Sequence, residues 1–520
     1  MPDATLAWDY FKLTFTSICD KHTPIKRLRI SGKNNPWFND TVSTFIKQRN
    51  AAWAKAKNSN NSLDWISYRA LRNKCTKLIK SAKRDYYLSA INENLNNPIK
   101  FWKLVKSTSV SNLSFKFPDH LKANHIVVKG KEAIADTLNS YFISVGSTSE
   151  STNSSVNTSK ETAESIQHCL SQSFNFVPIT TAQVHEALLK LDPKKKAGID
   201  QIEPYLLKLA ADFVAEPIAS LFNLSLVSNT IPKMWKSAMV TPLLKGRDPE
   251  DPNNYRPISR LPVLAKVFES LINDQLKQYL SANNILHDYQ SGFRTGHSTI
   301  TAAMSVSNDI ITSLDSKKSR AALFVDLSKA FDSVDHNLLL QRLRFIGLSE
   351  AALNWFENDL SDRTQCVSVE NYNSPFLQVT TGVHQGSVLA PLLFSIYINP
   401  LSHGIDSAKL HLYADDTIIY TTASSLTQAM KQLQNAFQVL QHSLAQLKLV
   451  LNPKKTKYMI FSRGRSKVTD IQIMTSNDLP LERVSSYKYL GIWMDERLAF
   501  DVHIDHFLKK LRPKLGFFYR

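Results

Sequence analysis

Two short stretches in the C-terminal half decide the fold: residues 321–336 (AALFVDLSKAFDSVDH) and residues 411–420 (HLYADDTIIY). The first begins with an apolar run that predicts a buried strand, and Asp326 stands near the end of that run. In the second stretch, two short runs of β-favouring residues flank Asp415 and Asp416. This pattern predicts a hairpin that carries two adjacent carboxylates at its turn.

Carboxylates in these positions need a neutralising partner. A carboxylate at the end of a buried strand is costly unless it is paired or coordinates a cation, and adjacent like charges at a turn repel each other. Three Asp oxygens that converge from two elements suit two Mg²⁺ ions, which would activate an attacking hydroxyl and stabilise a leaving phosphate. The ordinary alternative is that Asp is common in turns and that an adjacent pair arises by chance.

Length and composition limit the classes of protein that fit this chain. Its 520 residues, 43% of them hydrophobic, predict roughly two to four folded domains. The 63 Lys and Arg against 45 Asp and Glu give a net charge of +18, which favours a polyanionic partner. The four cysteines lie far apart without a Cys-x-x-Cys pair. That spacing argues against a zinc finger or a disulfide scaffold and for a reduced, intracellular setting.

Most of the positive charge lies in one block near the N-terminus. Between Lys21 and Lys106 there are 19 Lys and Arg against four Asp and Glu, a net charge of +15. Apolar residues at a spacing of three to four predict helices, and the polar turn at residues 58–62 predicts a helical hairpin. Two interpretations stay open, a solvated helix pair or a surface that contacts phosphates. The density of unneutralised charge favours the second.

A polar segment interrupts the chain after this block. Residues 146–160 (GSTSESTNSSVNTSK) have almost no large apolar side chains, which predicts a flexible linker. The N-terminus lacks the basic segment and apolar core of a signal peptide. The longest apolar stretch, residues 388–400, is interrupted by polar residues and too short to span a bilayer. We therefore expect a soluble intracellular protein without a membrane partner.

The two deciding stretches belong to a series of nine blocks that follow one another along the chain. In order, the blocks are PWFNDTVSTFIKQRNAAW, DPKKKAGIDQIEPYLLK, MVTPLLKGRDPEDPNNYRPIS, QSGFRTGHST, FVDLSKAFDSVDH, GVHQGSVLAPLLFSIYIN, YADD, LNPKKTKYMIF and SYKYLGIWMD. Together they resemble the reverse transcriptases of non-LTR (LINE-type) retrotransposons, especially those of jockey-like elements. A chance match to one block is plausible, whereas nine collinear matches form a specific signal.

The resemblance implies an α+β fold of the polymerase right-hand type, with fingers and a palm built on a short antiparallel sheet. It implies a reverse transcriptase domain at residues 225–495, preceded by a helical N-terminal part of the polymerase at 163–224. Residues 1–145 would form a basic helical extension, 146–162 the linker, and 496–520 the start of a truncated thumb. Nothing before the polymerase resembles the family's endonuclease, so we expect a linker-plus-polymerase piece or a truncated copy.

The resemblance also assigns the catalytic groups. The metal-binding and catalytic carboxylates would be Asp326, Asp415 and Asp416, holding two Mg²⁺ ions, or Mn²⁺ in their place. Lys455 matches the lysine that protonates the leaving pyrophosphate, although Lys454 and Lys457 beside it leave that choice open. Asp332 and Asp335 are expected to cap the helix that follows rather than to bind metal.

Five further residues match positions that bind the incoming dNTP: Lys245, Arg256, Phe331, Gln385 and Gly386. The two cations would meet the triphosphate, since Arg suits bidentate phosphate contacts. Phe331 would exclude a ribose 2′-hydroxyl, which makes DNA the product. Gln385 and Gly386 would back the nucleotide and the template. The ordinary alternatives are solvated surface cations and a core aromatic ring.

The resulting hypothesis is an RNA-directed DNA polymerase with template RNA, primer or target DNA, and dNTPs as partners. Its location would be the nucleus, the cytoplasm or both, and its oligomeric state is open. A second hypothesis is a catalytically silent, truncated relic that still binds nucleic acid. A third, a viral RNA-dependent RNA polymerase, is disfavoured because such enzymes tend to have a small or polar residue where Phe331 stands.

Overall fold

The computed structural model describes residues 3–24, 35–108, 117–123, 126–147, 173–246, 248–316, 318–462 and 471–518. The chain divides into two compact units. The smaller is Thr23–Lys116, and the larger combines Met1–His22 with Phe117–Arg520. The predicted Ser/Thr/Asn-rich linker lies outside the described residues from residue 148 onward.

The described residues contain both helices and strands, in agreement with the expected mixture of helix and sheet. The helices are α1 (Ala4–His22), α2 (Asp40–Ser59), α3 (Ser62–Glu93), α4 (Pro98–Thr108), α5 (Lys131–Ser147), α6 (Thr181–Leu189), α7 (Pro204–Leu209), α8 (Ala211–Ser228), α9 (Val263–Ala282), α10 (Thr299–Asp315), α11 (His336–Phe345), α12 (Glu350–Leu360), α13 (Ala390–Ile398), α14 (Leu426–Gln446) and α15 (Asp501–Phe518). Among these described helices, none has the length and apolar character needed to cross a membrane.

The strands of the described residues form two larger sheets and two separate hairpins. They are β1 (His120–Ala123), β2 (Ile126–Lys129), β3 (Ser237–Leu244), β4 (Tyr255–Arg260), β5 (Ser319–Val325), β6 (Arg363–Val369), β7 (Tyr372–Asn373), β8 (Leu377–Val379), β9 (Lys409–Tyr413), β10 (Asp416–Ala423), β11 (Lys457–Phe461), β12 (Glu482–Arg483), β13 (Ser486–Tyr489) and β14 (Ile492–Asp495). The hairpins pair β1 with β2 and β13 with β14.

The smaller unit contains an antiparallel pair of helices, α2 and α3. Asn39 caps α2 and Asn61 caps α3, each accepting a backbone N–H with its side chain. Between the helices the chain turns at Asn60, which adopts the left-handed conformation that Asn tolerates. The two helices contact along their length, and the Lys74 ammonium lies 4.7 Å from the centroid of the Phe45 ring. The predicted helical hairpin with a turn at residues 58–62 is confirmed.

The first sheet of the larger unit has the strand order β12-β11-β5-β10-β9, and its central pairings are antiparallel. Helix α14 packs against β5 and β10, while α10 packs against β5 as part of a second apolar cluster. All seven residues of β5 are buried. Because side chains on both faces of this strand are covered, its residues 321–325 are all apolar, while Ser319 and Arg320 at its start are buried polar residues. The predicted buried strand is confirmed.

The second sheet has the order β4-β3-β6-β7, with β8 beside β6. Helix α5 packs on it and contributes Leu138 and Phe142 to an apolar cluster with Val240 and Val367. A larger core joins the first sheet to the surrounding helices, and helix α1 takes part in it through the fully buried Trp8. The first helix of the chain therefore belongs to the core of the larger unit.

Candidate active site

The hairpin of β9 and β10 carries two of the predicted catalytic acids. Asp416 pairs with Tyr413 across the strands, so Ala414 and Asp415 form a two-residue turn. Ala414 has a positive φ of 55°, which is uncommon for a residue with a side chain. Gly292 packs beneath this turn, where an added Cβ would lie 2.3 Å from the Ala414 nitrogen. The predicted hairpin with adjacent carboxylates at its turn is confirmed.

Asp326 lies next to this hairpin because β10 pairs with β5. Thr417 stands opposite Val325, so the strand directions bring Asp416 and Asp326 to neighbouring positions just beyond that pair. The backbone of Asp326 is fixed on both sides. Its N–H donates to Thr456 Oγ1 (3.2 Å), and its carbonyl accepts from the Asn452 N–H (2.9 Å).

The three acids share an electrostatic environment that is only partly compensated. Asp416 is exposed as a residue, yet desolvation of its carboxyl group raises its pKa to about 6, and the charges of Asp415 and Asp326 add to the rise. Burial also raises the pKa of Asp326, with Lys455 and Lys245 opposing the change. Each raised pKa means that the ionised form is disfavoured until more positive charge is supplied.

The chemistry of these acids fits a divalent cation, although the side chains are not gathered around one point. Within the described ranges, no group of three or more His, Cys, Asp or Glu residues forms a set that could hold a metal ion. Carboxylate oxygens are the ligands that Mg²⁺ prefers, and the uncompensated charge of Asp326 and Asp416 is what such an ion would neutralise. Metal binding at Asp326, Asp415 and Asp416 therefore stays a prediction.

Two predicted cations come from the hairpin of β3 and β4. Lys245 directly follows β3, and Arg256 lies in β4 opposite Leu243. The pKa of Lys245 is lowered, first by burial and then by the charges of Arg256 and Lys455, while Asp415 opposes the change. These groups consequently lie within electrostatic range of the acids.

Two of the three neighbouring lysines after α14, Lys455 and Lys457, lie near different acids in the structure. Lys455 Nζ lies 3.9 Å from Asp326 Oδ2. Lys457 instead pairs with Glu482 at 2.6 Å. Of these two lysines, Lys455 is the one that reaches a predicted catalytic acid.

Phe331 and Gly386 contact protein groups in this structure. The half-buried Phe331 ring stacks on Phe394, with 4.3 Å between the ring centroids. Gly386 has a φ of 134°, and an added Cβ would lie 2.3 Å from the Ser259 carbonyl oxygen. The close backbone approach at this glycine is thus to strand β4. Substrate contact by either residue stays a prediction.

Residues 244–494 match the reverse transcriptase (RNA-dependent DNA polymerase) family. The chain is 33% identical over 359 residues to the probable RNA-directed DNA polymerase from transposon BS of Drosophila melanogaster, covering 66% of this chain and 39% of the relative. It is 28% identical over 365 residues to the RNA-directed DNA polymerase from mobile element jockey of the same species, covering 69% and 39%. This similarity indicates a reverse transcriptase of the non-LTR retrotransposon type. It spans about two fifths of the length of these relatives.

The matched segment of this reverse transcriptase contains every predicted site residue from Lys245 to Lys455. A third relative, the probable RNA-directed DNA polymerase from transposon X-element of Drosophila melanogaster, is 28% identical over 366 residues, covering 69% of this chain and 39% of the relative. Helix α5 lies before the segment that matches the family.

Asp332 has a partner that the sequence reasoning missed. Its carboxylate accepts from Gln385 Nε2 at 2.9 and 3.0 Å, and burial raises its pKa to about 6. The expected helix cap at Asp332 is therefore wrong. At Asp335 it is confirmed, because that side chain accepts from the Leu338 N–H at the start of α11. No local sequence pattern predicts the contact between Asp332 and Gln385, since Gln385 lies more than fifty residues further along the chain.

A second missed residue, Glu269 in α9, holds the loop that follows Gly386. Its Oε2 accepts from Ser387 Oγ (2.9 Å) and from the Val388 N–H (2.6 Å). Burial raises its pKa to about 7. A single buried carboxyl group thus anchors the segment that carries two predicted dNTP-binding residues.

Proposed function

We propose that this reverse transcriptase chain copies RNA into DNA by adding dNTPs to a primer 3′-hydroxyl. The observation that carries the proposal is the position of Asp326 beside Asp416, with Asp415 at the adjoining turn. This arrangement places three carboxylates at the ends of two neighbouring strands, within electrostatic range of Lys245. Nucleotidyl transfer requires this combination, because metal ligands must lie close to groups that bind phosphate.

In the proposed assignment, the first sheet is the palm and the second belongs to the fingers. Two Mg²⁺ ions, or Mn²⁺, held by Asp326, Asp415 and Asp416 would lower the pKa of the primer hydroxyl and stabilise charge on the leaving group. The protein's own contribution is to hold these carboxylates on strand ends that hydrogen bonds keep fixed.

The remaining residues would bind the nucleotide and move a proton. Lys245 and Arg256 would bind the triphosphate through charge-assisted hydrogen bonds. Lys455, whose ammonium lies 3.9 Å from Asp326, would donate a proton to pyrophosphate. Phe331 would exclude a 2′-hydroxyl, and Gln385 with Gly386 would support the nucleotide and the template.

Template RNA and primer or target DNA are the proposed macromolecular partners. The net charge of +15 between Lys21 and Lys106 supports phosphate contact by the helical hairpin of the smaller unit. Such contacts would be insensitive to base sequence, because they go to the backbone.

Primer extension by Asp415→Asn tests the proposed chemistry. With a poly(A)-type template, a short primer and Mg²⁺, we expect extension to be abolished while the affinity for template changes little. The exposed Asp406, outside the site, provides the matched control Asp406→Asn, which should extend the primer like the unmodified protein. Unchanged extension by Asp415→Asn would contradict the assignment.

Two further outcomes of the same assay separate the alternatives. An unmodified protein that binds template but never extends the primer would favour the catalytically silent relic. Incorporation of rNTPs as readily as dNTPs would remove the proposed steric function of Phe331 and favour an RNA-synthesising polymerase.

A further inference from the structure

Helix α5 is fixed to the second sheet by a buried polar network. The side chain of Asn139 is fully buried. Its Nδ2 donates to Ser374 Oγ and to the Pro375 carbonyl, both at 2.9 Å, and its Oδ1 accepts from Gln365 Nε2 at 3.1 Å. Apolar contacts of Leu138 add to this anchoring. Buried and satisfied networks of this kind hold an element in one orientation.

Tyr141, two residues after Asn139, joins two loops of the proposed active site. Its hydroxyl accepts a hydrogen bond from Lys329 Nζ and donates one to Asn253 Oδ1. Lys329 Nζ also lies 3.9 Å from the centroid of the Tyr141 ring. The phenol is therefore held between these two loops.

The two loops carry different parts of the proposed chemistry. Lys329 stands between Asp326 and Phe331 in the turn after β5. Asn253 lies in the connection of the β3–β4 hairpin, between Lys245 and Arg256. The Tyr141 hydroxyl thus links the turn that carries an acid and the proposed steric gate to the hairpin that carries the two cations.

The end of α5 makes a second close contact with the same turn. An added Cβ at Gly146 would lie 1.9 Å from Thr381 Oγ1 and 2.8 Å from the Asp332 carbonyl oxygen. The helix therefore approaches the turn after β5 at two points, through the Tyr141 side chain and through its own backbone.

The protonation states suit a bridge at neutral pH. Burial raises the pKa of Tyr141 to about 12, so the phenol keeps the proton that it donates to Asn253. Burial lowers the pKa of Lys329 to about 8, while Asp332 and Asp251 oppose the change. Near pH 7 the lysine is still mainly an ammonium donor.

We propose that Tyr141 is a positioning residue that holds the cation-bearing β3–β4 hairpin in register with the turn carrying Asp326 and Phe331. The inference rests on the proposed function, and it extends the nucleotide site to a helix before the segment that matches the family. Tyr141 itself touches no reacting atom. Loss of its hydroxyl frees the hairpin, so that dNTP binding must order it, which weakens binding more than it slows the chemical step.

Tyr141→Phe tests this bridge because it keeps the ring and removes only the hydroxyl. In steady-state primer extension we expect the KM for dNTP to rise about fivefold to tenfold, with kcat changing less than about twofold. Tyr205, an exposed tyrosine on α7, provides the matched control, and Tyr205→Phe should leave KM unchanged.

Asn253→Ala examines the same bridge from its exposed end. We expect it to raise KM as Tyr141→Phe does, and the double variant should be no worse than the more affected single variant, because both remove one interaction. Should Tyr141→Phe fail to fold, Asn253→Ala carries the test alone.

The outcomes separate this inference from the proposed function. If the unmodified protein does not extend primers, the proposed function fails. If it does extend them, an unchanged KM in the folded bridge variants overturns the positioning inference alone. A fall in kcat without a change in KM, or additive effects in the double variant, would also overturn it.

Discussion

At the scale of single residues, the loop after Gly386 is held by a buried acid, Glu269, that protein groups rather than solvent stabilise. Glu269 illustrates the cost of this arrangement. Its carboxyl group accepts two hydrogen bonds from the loop after Gly386, yet burial still raises its pKa from an ordinary 4.5 to about 7. Desolvation therefore outweighs the hydrogen bonds, and the protonated form is favoured in the folded state.

This balance predicts a stability that falls as the pH rises. Between about pH 4.5 and pH 7 the folded state holds a proton on Glu269 that the unfolded state has released, so the free energy of unfolding decreases across that range. Glu269→Gln removes this titration. Relative to the variant, the unmodified protein should lose on the order of 3 kcal/mol between about pH 5 and pH 8. Denaturant unfolding of both proteins measures the difference, and parallel pH profiles would contradict it.

The three acids that the sequence pattern predicts as a site have local signatures. Asp326 follows an apolar run, and Asp415 and Asp416 lie between two β-favouring runs, so their elements could be predicted from neighbouring residues. The partners of Asp332 and Tyr141 could not. Each of these two residues is defined by a contact with a distant part of the chain, and a single sequence carries no record of that contact.

At the scale of elements, the α2–α3 hairpin presents exposed cations along one helix face. Arg69 and Lys80 are eleven residues apart on α3, about three helical turns, and Lys77 lies between them on the same side. Such a row of positive charges is more complementary to a polyanion than to the acidic side chains of the protein itself. Helix formation here was predictable because periodicity and the polar residues at the turn act locally.

Neutralising this row should weaken nucleic-acid binding in a salt-dependent way. We expect the triple variant Arg69→Gln, Lys77→Gln, Lys80→Gln to reduce the magnitude of the slope of log affinity against log salt by about 2. The variant makes fewer phosphate contacts, so its binding releases fewer counterions. Binding to a single-stranded RNA at several salt concentrations measures the slope. The control replaces three lysines that already pair with acids: Lys122, Lys190 and Lys409. Equal slopes for both triple variants would rule out binding through this face.

At the scale of the whole molecule, sequence order and spatial order differ. Helix α1 and helix α5 both belong to the larger unit, while Thr23–Lys116 between them forms the smaller one. Composition marks where charge and polarity change along the chain, which is how the extension at 1–145 was predicted. It does not reveal which distant segments share a core, so those domain boundaries stay predictions.

The buried position of Trp8 makes this interleaving testable. Its ring is fully buried and lies edge-on to Trp235, with 5.2 Å between the centroids. Trp8→Ala leaves a cavity in the large core and should lower the free energy of unfolding by about 3–5 kcal/mol. Trp53→Ala is the matched control, because Trp53 is 45% exposed and lies in the smaller unit. Thermal and denaturant unfolding compare the two variants. If Trp8→Ala costs no more than Trp53→Ala, the first helix is not part of the core, and a protein that begins after it should be as stable as the full chain.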